Sequence, residues 1–476
     1  MTEYTAGRHF DLVIIGTGSG NSILDSRFAD WNVAIIEKGI FGGTCLNVGC
    51  IPTKMFVHTA DIAATPENSA KFGVDETLDA VRFGDIRDRI FGRIDPIAAG
   101  GRDYRLRHED NRSVTVFEGV AHFSGPKTLV VQPNDGSDRQ VISADRIVLA
   151  GGSRPIIPDI DGLANVDYHT SDTIMRLEKL PHTLVVIGSG FIAAELAHVF
   201  SAFGVDVTIL ARSDRFLRDE DADISARFTE LAKQRWDVRT NRGVIRVEQS
   251  GGQIILHAAG PAGTEKISGD QLLIAAGRRP NSDLLNPSAA GIAVTDDGYV
   301  AVDEFQRVLS TAGGVADGVW ALGDICSPWQ LKHVANHEQR IVQHNLLHPN
   351  ALRAADHRFV PHAVFSAPQI ASVGLTEQRA RELGIRYVTT KQDYAGIAYG
   401  WAMEDETGFA KLLADPANGR LLGAHIIGPQ ASTLIQPLIQ AMSFDLSARD
   451  MARGQYWIHP AMPELIENAL LNLPLD

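Results

Sequence analysis

The stretch Phe10–Phe28, FDLVIIGTGSGNSILDSRF, decides the fold. Its apolar run ends in a glycine-rich turn at Gly16 and Gly18, and residues with helical spacing follow. A second apolar run, NVAIIEK, ends about twenty residues later in Glu37. Strand, glycine turn, helix, strand and acid form the fingerprint of a dinucleotide-binding unit, in which the acid holds a ribose hydroxyl. A merely structural turn is the alternative, because Asn21 stands in place of the third glycine.

The same pattern returns in HTLVVIGSGFIAAELAHVF, where Gly188 and Gly190 form the turn. The strand that follows ends at Leu210 without an acid, and Arg212 and Arg218 come next. Guanidinium groups bind a 2′-phosphate, which a carboxylate would repel, so this second unit is expected to prefer NADPH. The alternative is that the two arginines are only solvated loop residues.

Composition narrows the class of protein. The chain has 476 residues, 44% of them hydrophobic and 21% charged, as in an ordinary globular protein of several domains. Its formal net charge of -14 argues against a nucleic-acid partner. The first ten residues, MTEYTAGRHF, carry no secretory leader, and no run of about 18 apolar residues is available to span a membrane. We therefore expect a cytoplasmic protein.

Three further predicted strands, and a change in the sequence pattern from about Val360, outline the domains. The strands in RIVLAGGSRP and QLLIAAGRRP each end in glycine and Arg-Pro, which predicts chain crossings between domains. The strand in GVWALGDIC ends at Asp324, which either binds a cofactor hydroxyl or caps a helix. From about Val360, AVFSAPQIASVGL, GFAKLLADPANGRLLGAHIIG and STLIQPLIQAMSF are typical of strands joined by turns and followed by an amphipathic helix, and DPANGR predicts a hairpin.

The segment GGTCLNVGC holds two of the chain's three cysteines, Cys45 and Cys50. Its glycines permit close backbone approach, and Pro52 suits the first turn of a helix that begins around Cys50. A helix N-terminus lowers the pKa of a thiol, so the pair is typical of a redox dithiol. Half of a zinc site and two inert core cysteines are the alternatives; zinc is disfavoured because no histidine pair supplies further ligands, and no metal is expected.

The motif GGTCLNVGCIPTK resembles the signature of the pyridine nucleotide–disulfide oxidoreductases of the glutathione reductase and lipoamide dehydrogenase group. The two glycine turns, AAGRRPN, ALGD and HPAMPE follow in that group's order, so the likeness covers essentially the whole chain. It implies a disulfide reductase with FAD at the first unit and NADPH at the second. It also implies a homodimer. A non-catalytic redox sensor is the alternative from a different class.

The resemblance implies an α/β fold with two Rossmann-like dinucleotide-binding domains and a C-terminal α+β dimerisation domain. The expected domains are FAD-binding, NADPH-binding, a central domain that completes the FAD site, and the dimerisation domain. Their expected ranges are 1–155, 156–283, 284–350 and 351–476.

The resemblance also implies catalytic roles. Cys50 would be the thiolate next to the flavin, and Cys45 the thiol that attacks the substrate disulfide. His459, oriented by Glu464, would manage the proton and reach the partner's active site across the dimer interface. The implied ion pair near the flavin is formed by Lys54 and Glu195, and the aromatic gate over the nicotinamide by Phe191.

The expected cofactor-binding residues form two sets. The FAD set is Gly16, Gly18, Ser19, Glu37, Gly43, Thr44, Lys54, Gly152 and Asp324. The NADPH set is Gly188, Gly190, Phe191, Glu195, Arg212, Arg218 and Gly277.

The substrate is expected to be a small disulfide, because no second cysteine pair follows near the C-terminus to carry electrons outward. Glutathione disulfide and lipoamide stay open as alternatives. Glutathione is disfavoured because Ser26 stands where the resemblance ordinarily places an arginine for a substrate carboxylate. Lipoamide is disfavoured because the corresponding relative usually has an acid where this chain has its NADPH-type arginines.

Overall fold

The computed structural model describes residues 7–475. Segment 1–6, which is part of the stretch searched for a leader, and residue 476 lie outside the described residues. Within residues 7–475, no helix combines the length and apolarity needed to cross a bilayer.

Strands and helices follow one another in runs rather than in strict alternation along the chain. Strands β1 to β21 are Arg8–Ile15, Val33–Glu37, Val114–Gly125, Thr128–Pro133, Gln140–Leu149, Ser153–Pro155, Thr183–Ile187, Asp206–Leu210, Asp237–Arg239, Gly243–Ser250, Gln253–Gly260, Gly263–Gly269, Gln271–Ile274, Arg278–Pro280, Arg307–Leu309, Val315–Ala321, His362–Val364, Ile370–Gly374, Val388–Asp393, Phe409–Ala414 and Leu421–Ile427. Helices α1 to α13 are Gly43–Asn47, Cys50–Ala63, Pro66–Ser69, Phe83–Arg107, Phe191–Ala202, Ala222–Arg235, Lys332–Leu347, Glu377–Glu382, Ala398–Met403, Ala431–Leu434, Gln436–Ser443, Ala448–Arg453 and Glu464–Leu471.

The chain divides into two compact units, and it changes unit just after the first predicted crossing segment, following residue 156, and inside the second, following residue 276. The first unit contains the described residues of Met1–Met55, Gly84–Ile156 and Gly277–Asp356. The second contains those of Phe56–Phe83, Ile157–Ala276 and His357–Asp476.

A seven-stranded sheet forms the centre of the first unit. Strand β1 pairs in parallel with β2 and β5, and β5 pairs in parallel with β16. Because side chains alternate across a strand, Val13 and Ile15 pack in one apolar cluster while Leu12 and Ile14 pack in another. The first glycine turn therefore leaves the end of a strand that is anchored on both faces.

The predicted helix after this turn is wrong. Two short 3₁₀ segments, Gly20–Ile23 and Ser26–Phe28, replace it. The Asp25 carboxylate accepts a hydrogen bond from the Arg27 backbone N–H at 3.0 Å, a local turn that competes with a continuous helix. The buried Arg105 guanidinium donates to the Asn21 carbonyl at 2.7 Å, an acceptor that a helix would use itself.

The second unit contains the second glycine turn. Strands β13, β7, β8 and β9 form a parallel sheet in that order, and β10, β11 and β12 form a separate antiparallel sheet. Helix α5 follows β7 directly and is buried along most of its length. Strand, glycine turn and helix therefore stand here as predicted.

The C-terminal part of the second unit is a five-stranded antiparallel sheet of β17, β18, β21, β20 and β19. The DPANGR segment joins β20 to β21, which confirms the hairpin. The STLIQPLIQAMSF segment forms helices α10 and α11, so the expected amphipathic helix lies within it and it contributes no strand.

A buried cation ties this sheet to helix α6. Lys411 on β20 is 3% exposed, and its ammonium donates to carboxylates of Asp221 and Glu377 at 2.8 and 2.6 Å. Burial opposes ionisation of Asp221, but the hydrogen bonds from Lys411 and from the Glu377 backbone N–H outweigh it and lower the Asp221 pKa. A carboxyl with a lowered folded-state pKa stabilises the fold at neutral pH and loses that contribution as the pH falls through it.

Candidate active site

The first glycine turn provides a close backbone cradle. Gly16 has φ +102°, and a Cβ added there would lie 2.3 Å from the Ala150 carbonyl oxygen, so only glycine fits. Gly18 packs against Gly43, where a Cβ would lie 2.7 Å from the Gly18 Cα. The turn therefore suits close approach of a pyrophosphate, as expected for FAD.

Glu37 lies at the end of β2 beside this turn. Its carboxylate accepts hydrogen bonds from the Thr17 N–H at 2.9 Å, the Thr17 hydroxyl at 2.6 Å and the Gly39 N–H at 2.8 Å. A carboxylate offers about four acceptor positions, so it can also accept one ribose hydroxyl. Thr17, which the sequence interpretation missed, orients this acid and also accepts from the Gly42 N–H at 3.1 Å.

Two other expected FAD residues lie in the first unit near strand ends. Gly152 has φ +66°, and its carbonyl accepts from the Asn281 N–H at 2.9 Å. Asp324 lies in the 3₁₀ turn Gly323–Ile325 and accepts from the Ser153 hydroxyl at 2.6 Å, so its carboxylate does not cap that turn. Ser153 was missed by the sequence interpretation, and only its place before Arg-Pro marks it.

The second glycine turn has the matching geometry. Gly188 has φ +138°, and an added Cβ would lie 2.2 Å from the Ala275 carbonyl oxygen. Gly190 caps helix α5, and an added Cβ would meet nothing within 4 Å. The N–H groups at the start of a twelve-residue helix are free to bind a phosphate. Phe191 opens this helix and is 45% exposed, as a gate residue requires.

Arg212 and Arg218 are exposed residues of the segment that follows β8. Arg218 approaches Asp219 at 3.8 Å, with both side chains largely exposed, and such a pair contributes little. Among the described residues, Arg212 has no hydrogen bond or ion pair, so its guanidinium is free to bind an anion. Gly277, the last residue of the NADPH set, has φ +113° and begins the return to the first unit.

Cys45 and Cys50 lie on consecutive helices, α1 and α2, and α2 begins at Cys50 as predicted. Neither is joined in a disulfide; Cys45 is half-buried and Cys50 exposed. A hydrogen bond to Cys50, followed by burial, raises the pKa of Cys45, so this thiol stays protonated at neutral pH. The glycine contacts above place α1, with Thr44 in its first turn, directly against the first dinucleotide turn.

Lys54 and Glu195 lie in different units. Lys54 is half-buried, one turn after Cys50 on α2. Glu195 is 3% exposed on α5, and its carboxylate accepts from the Phe365 N–H at 2.9 Å. Their ion pair stays a prediction.

His459 and Glu464 lie together before and at the start of α13. The two groups are hydrogen-bonded, with 2.5 Å between His459 Nδ1 and Glu464 Oε1. The His459 side chain is 70% exposed and the Glu464 side chain 15%. The imidazole ring is therefore held by a largely buried carboxylate and faces outward. This is the orientation that a base acting on another molecule or subunit needs.

The chain matches a known protein family over most of its length. Residues 10–340 match the pyridine nucleotide-disulphide oxidoreductase family, and residues 360–470 match that family's dimerisation domain. The chain belongs to this family and is an oxidoreductase. Its members depend on FAD and NAD(P)H, and the two glycine turns described above fit these two dinucleotides.

Individual relatives cover nearly the whole chain. The chain is 52% identical to mycothione reductase of Mycobacterium tuberculosis, over 98% of its own length and 99% of that protein. It is 31% identical to dihydrolipoyl dehydrogenase of Mycobacterium bovis, over 98% of both. The HOCl-induced flavoprotein disulfide reductase RclA of Escherichia coli has the same fold, with a TM-score of 0.82, 29% identity and coverage of 97% and 99%.

Proposed function

We propose that this protein is an NADPH-dependent flavoprotein disulfide reductase that converts mycothione to mycothiol through Cys45 and Cys50. One observation carries the proposal: a hydrogen-bonded thiol pair lies against the first dinucleotide turn of a chain that is 52% identical to mycothione reductase along its length. The low cysteine content suits a reducing compartment such as the cytoplasm.

Each site residue has its own step in the proposed disulfide reduction. Bound FAD would pass the electron pair of NADPH to the Cys45–Cys50 disulfide. The Cys45 sulfur then attacks the substrate disulfide, forming one mixed disulfide and releasing one thiol. Cys50 attacks Cys45 of that mixed disulfide, which restores the protein disulfide and releases the second thiol. Because the raised pKa keeps the Cys45 thiol protonated, its attack needs a base, and we assign that role to His459 held by Glu464.

A homodimer that shares its active site is part of the proposal. The side chains flanking His459 are apolar and exposed: Tyr456 is 102% and Ile458 75% exposed. Exposed apolar groups around a polar group are typical of an interaction surface. They lie within residues 360–470, which match the dimerisation domain, and this supports delivery of His459 to the partner's thiol pair.

Within the family, the sequence resembles mycothione reductase in particular. The likeness rests on the segments IGTGSGNSILD, CIPTKMFV, IGSGFIAAE, LKHVANHE, YGWAMED, STLIQPLIQAM and MARGQYWIHPAMPELIENALL. Ser26 in place of an arginine disfavours glutathione disulfide. Arg212 and Arg218, exposed beyond β8 where the lipoamide relative usually has an acid, disfavour lipoamide and NADH.

The test is NADPH oxidation by the FAD-loaded protein with mycothione, glutathione disulfide and lipoamide side by side, each repeated with NADH. We expect kcat/KM for mycothione with NADPH to exceed every other combination by about tenfold or more. A preference for lipoamide with NADH would overturn the substrate assignment. Stoichiometric oxidation of the thiols without sustained turnover would identify a redox sensor instead.

Replacing both Arg212 and Arg218 by leucine is expected to raise KM for NADPH by about 100-fold, because two charge-assisted contacts to the 2′-phosphate are lost. KM for NADH, which lacks this phosphate, is expected to change by no more than about threefold. Steady-state kinetics with both coenzymes measure the effect. Arg227→Leu, on helix α6 of the same unit, is the matched control, and an equal loss with both coenzymes would contradict the assignment.

A further inference from the structure

Lys332 opens helix α7 in the first unit and is half-buried. Its ammonium donates to the Ser19 hydroxyl at 2.7 Å, and that hydroxyl donates to the Asn336 side-chain oxygen at 3.0 Å, one turn further along α7. Two side chains of one helix thus hold Ser19 between them. Lys332 is therefore hydrogen-bonded to the first dinucleotide turn.

Helix α1, which carries Cys45, contacts the same turn. Gly43, the first residue of α1, packs against Gly18, the neighbour of Ser19. The Gly42 N–H, just before α1, donates to the Thr17 hydroxyl at 3.1 Å. Turn residues 17–19 therefore connect the Lys332 ammonium to the helix that carries Cys45.

The charge of Lys332 reaches the thiol. A hydrogen bond to Cys50 and burial raise the pKa of Cys45, and the Lys332 ammonium acts against them and lowers it. No carboxylate of the described residues lies within 4.0 Å of Lys332 Nζ, so its charge is not neutralised by an ion pair. The N-terminus of α7 adds positive potential at the same place. Other ionisable groups on α7 and at the start of α2 are Cys50, Lys54, His333, His337, Glu338, Arg340 and His344, and Glu37 lies beside the turn.

We propose that Lys332 is a positioning residue for the redox pair: held by Ser19, it supplies the positive charge that stabilises the Cys45 thiolate at the moment of attack. The proposal rests on the proposed function, which makes Cys45 the attacking thiol. It adds a cation that neither the glycine turns nor the cysteine motif contains. A lysine at the start of a long helix carries no recognisable signal in the sequence, since its relation to Cys45 arises only in the fold.

The test is the pH dependence of iodoacetamide alkylation of Cys45 in the reduced, FAD-loaded protein, followed by mass spectrometry of the peptide that contains it. Lys332→Met and Lys332→Gln are expected to move the alkylation midpoint to higher pH by about one unit, which is about a tenfold slower reaction below the midpoint. Lys332→Arg keeps the charge and is expected to restore the wild-type midpoint to within a few tenths of a unit.

Lys179→Met removes an exposed lysine of the second unit and is the matched control for net charge. Wild-type midpoints in both neutral variants would overturn the proposal, as would an equal shift in Lys332→Arg. Because alkylation is measured on the protein's own cysteines, its result is independent of the substrate. A protein that fails to reduce mycothione yet shows the Lys332 shift would refute the proposed function and support this residue's role.

Discussion

Replacing Cys45 or Cys50 by serine is expected to lower kcat for disulfide reduction by about 10³-fold or more, because each sulfur forms a bond that oxygen cannot replace in the cycle. NADPH-dependent reduction of a quinone is expected to continue in both variants, since it does not use the thiols. Parallel assays with mycothione and a quinone measure the difference.

The two variants are expected to differ in the intermediate that they accumulate. Cys50→Ser keeps the attacking sulfur but lacks the resolving one, so reduced protein mixed with mycothione retains one half of the substrate on Cys45. Cys45→Ser lacks the attacking sulfur and gains no such mass. Intact-protein mass spectrometry, with reversal by dithiothreitol, reads out the adduct.

Cys326→Ala is the matched control, because Cys326 is buried, contacts the Gly323 carbonyl, and lies apart from α1 and α2 in the sequence. It is expected to keep wild-type turnover. An adduct on Cys50 in the Cys45→Ser variant, with none in Cys50→Ser, would exchange the two roles. Full disulfide turnover in either serine variant would remove the thiol pair from the mechanism altogether.

The sequence predicts those parts of the fold that are determined by residues close together in the chain. Gly16 and Gly188 are required by backbone contacts at strand ends, and the spacing from Gly16 to Glu37 marks the paired strands. The start of α2 at Cys50 follows from Pro52 in its first turn. The helix expected after Gly18 is replaced by 3₁₀ segments, where Asp25 forms a local turn and Arg105, far along the chain, binds the Asn21 carbonyl.

In the candidate active site, too, contacts between residues close in sequence are predictable and contacts between distant residues are not. His459 and Glu464 are five residues apart, so their hydrogen bond is a local feature that the HPAMPE motif predicts. Lys332 meets Ser19 across 313 residues, and Lys411 meets Asp221 across 190. Such pairs are set by how helices and sheets pack, and one sequence without that packing gives no reason to choose these lysines over others.

The second large effect is expected for His459→Gln. It removes the base that takes the Cys45 proton, and general-base catalysis contributes about 10² to 10⁴ in rate, so kcat/KM for mycothione is expected to fall by about 10³-fold. The residual rate is expected to rise with pH between about pH 7 and 9, because the raised pKa of Cys45 leaves the unassisted attack dependent on the thiolate fraction.

Glu464→Gln keeps the ring in place through a neutral partner, so a smaller loss is expected. Quinone reduction, which needs no proton transfer at Cys45, is expected to stay at the wild-type level in both variants. His182→Gln, an exposed histidine of the same unit, is the matched control. If His459 acts on the partner's thiols, mixing equal amounts of His459→Gln and Cys45→Ser subunits regenerates about a quarter of the wild-type activity per site. Half of the randomly paired dimers are heterodimers, and each of these contains one site of two with both groups intact. Mixed dimers without recovered activity would place His459 and Cys45 in the same subunit's site.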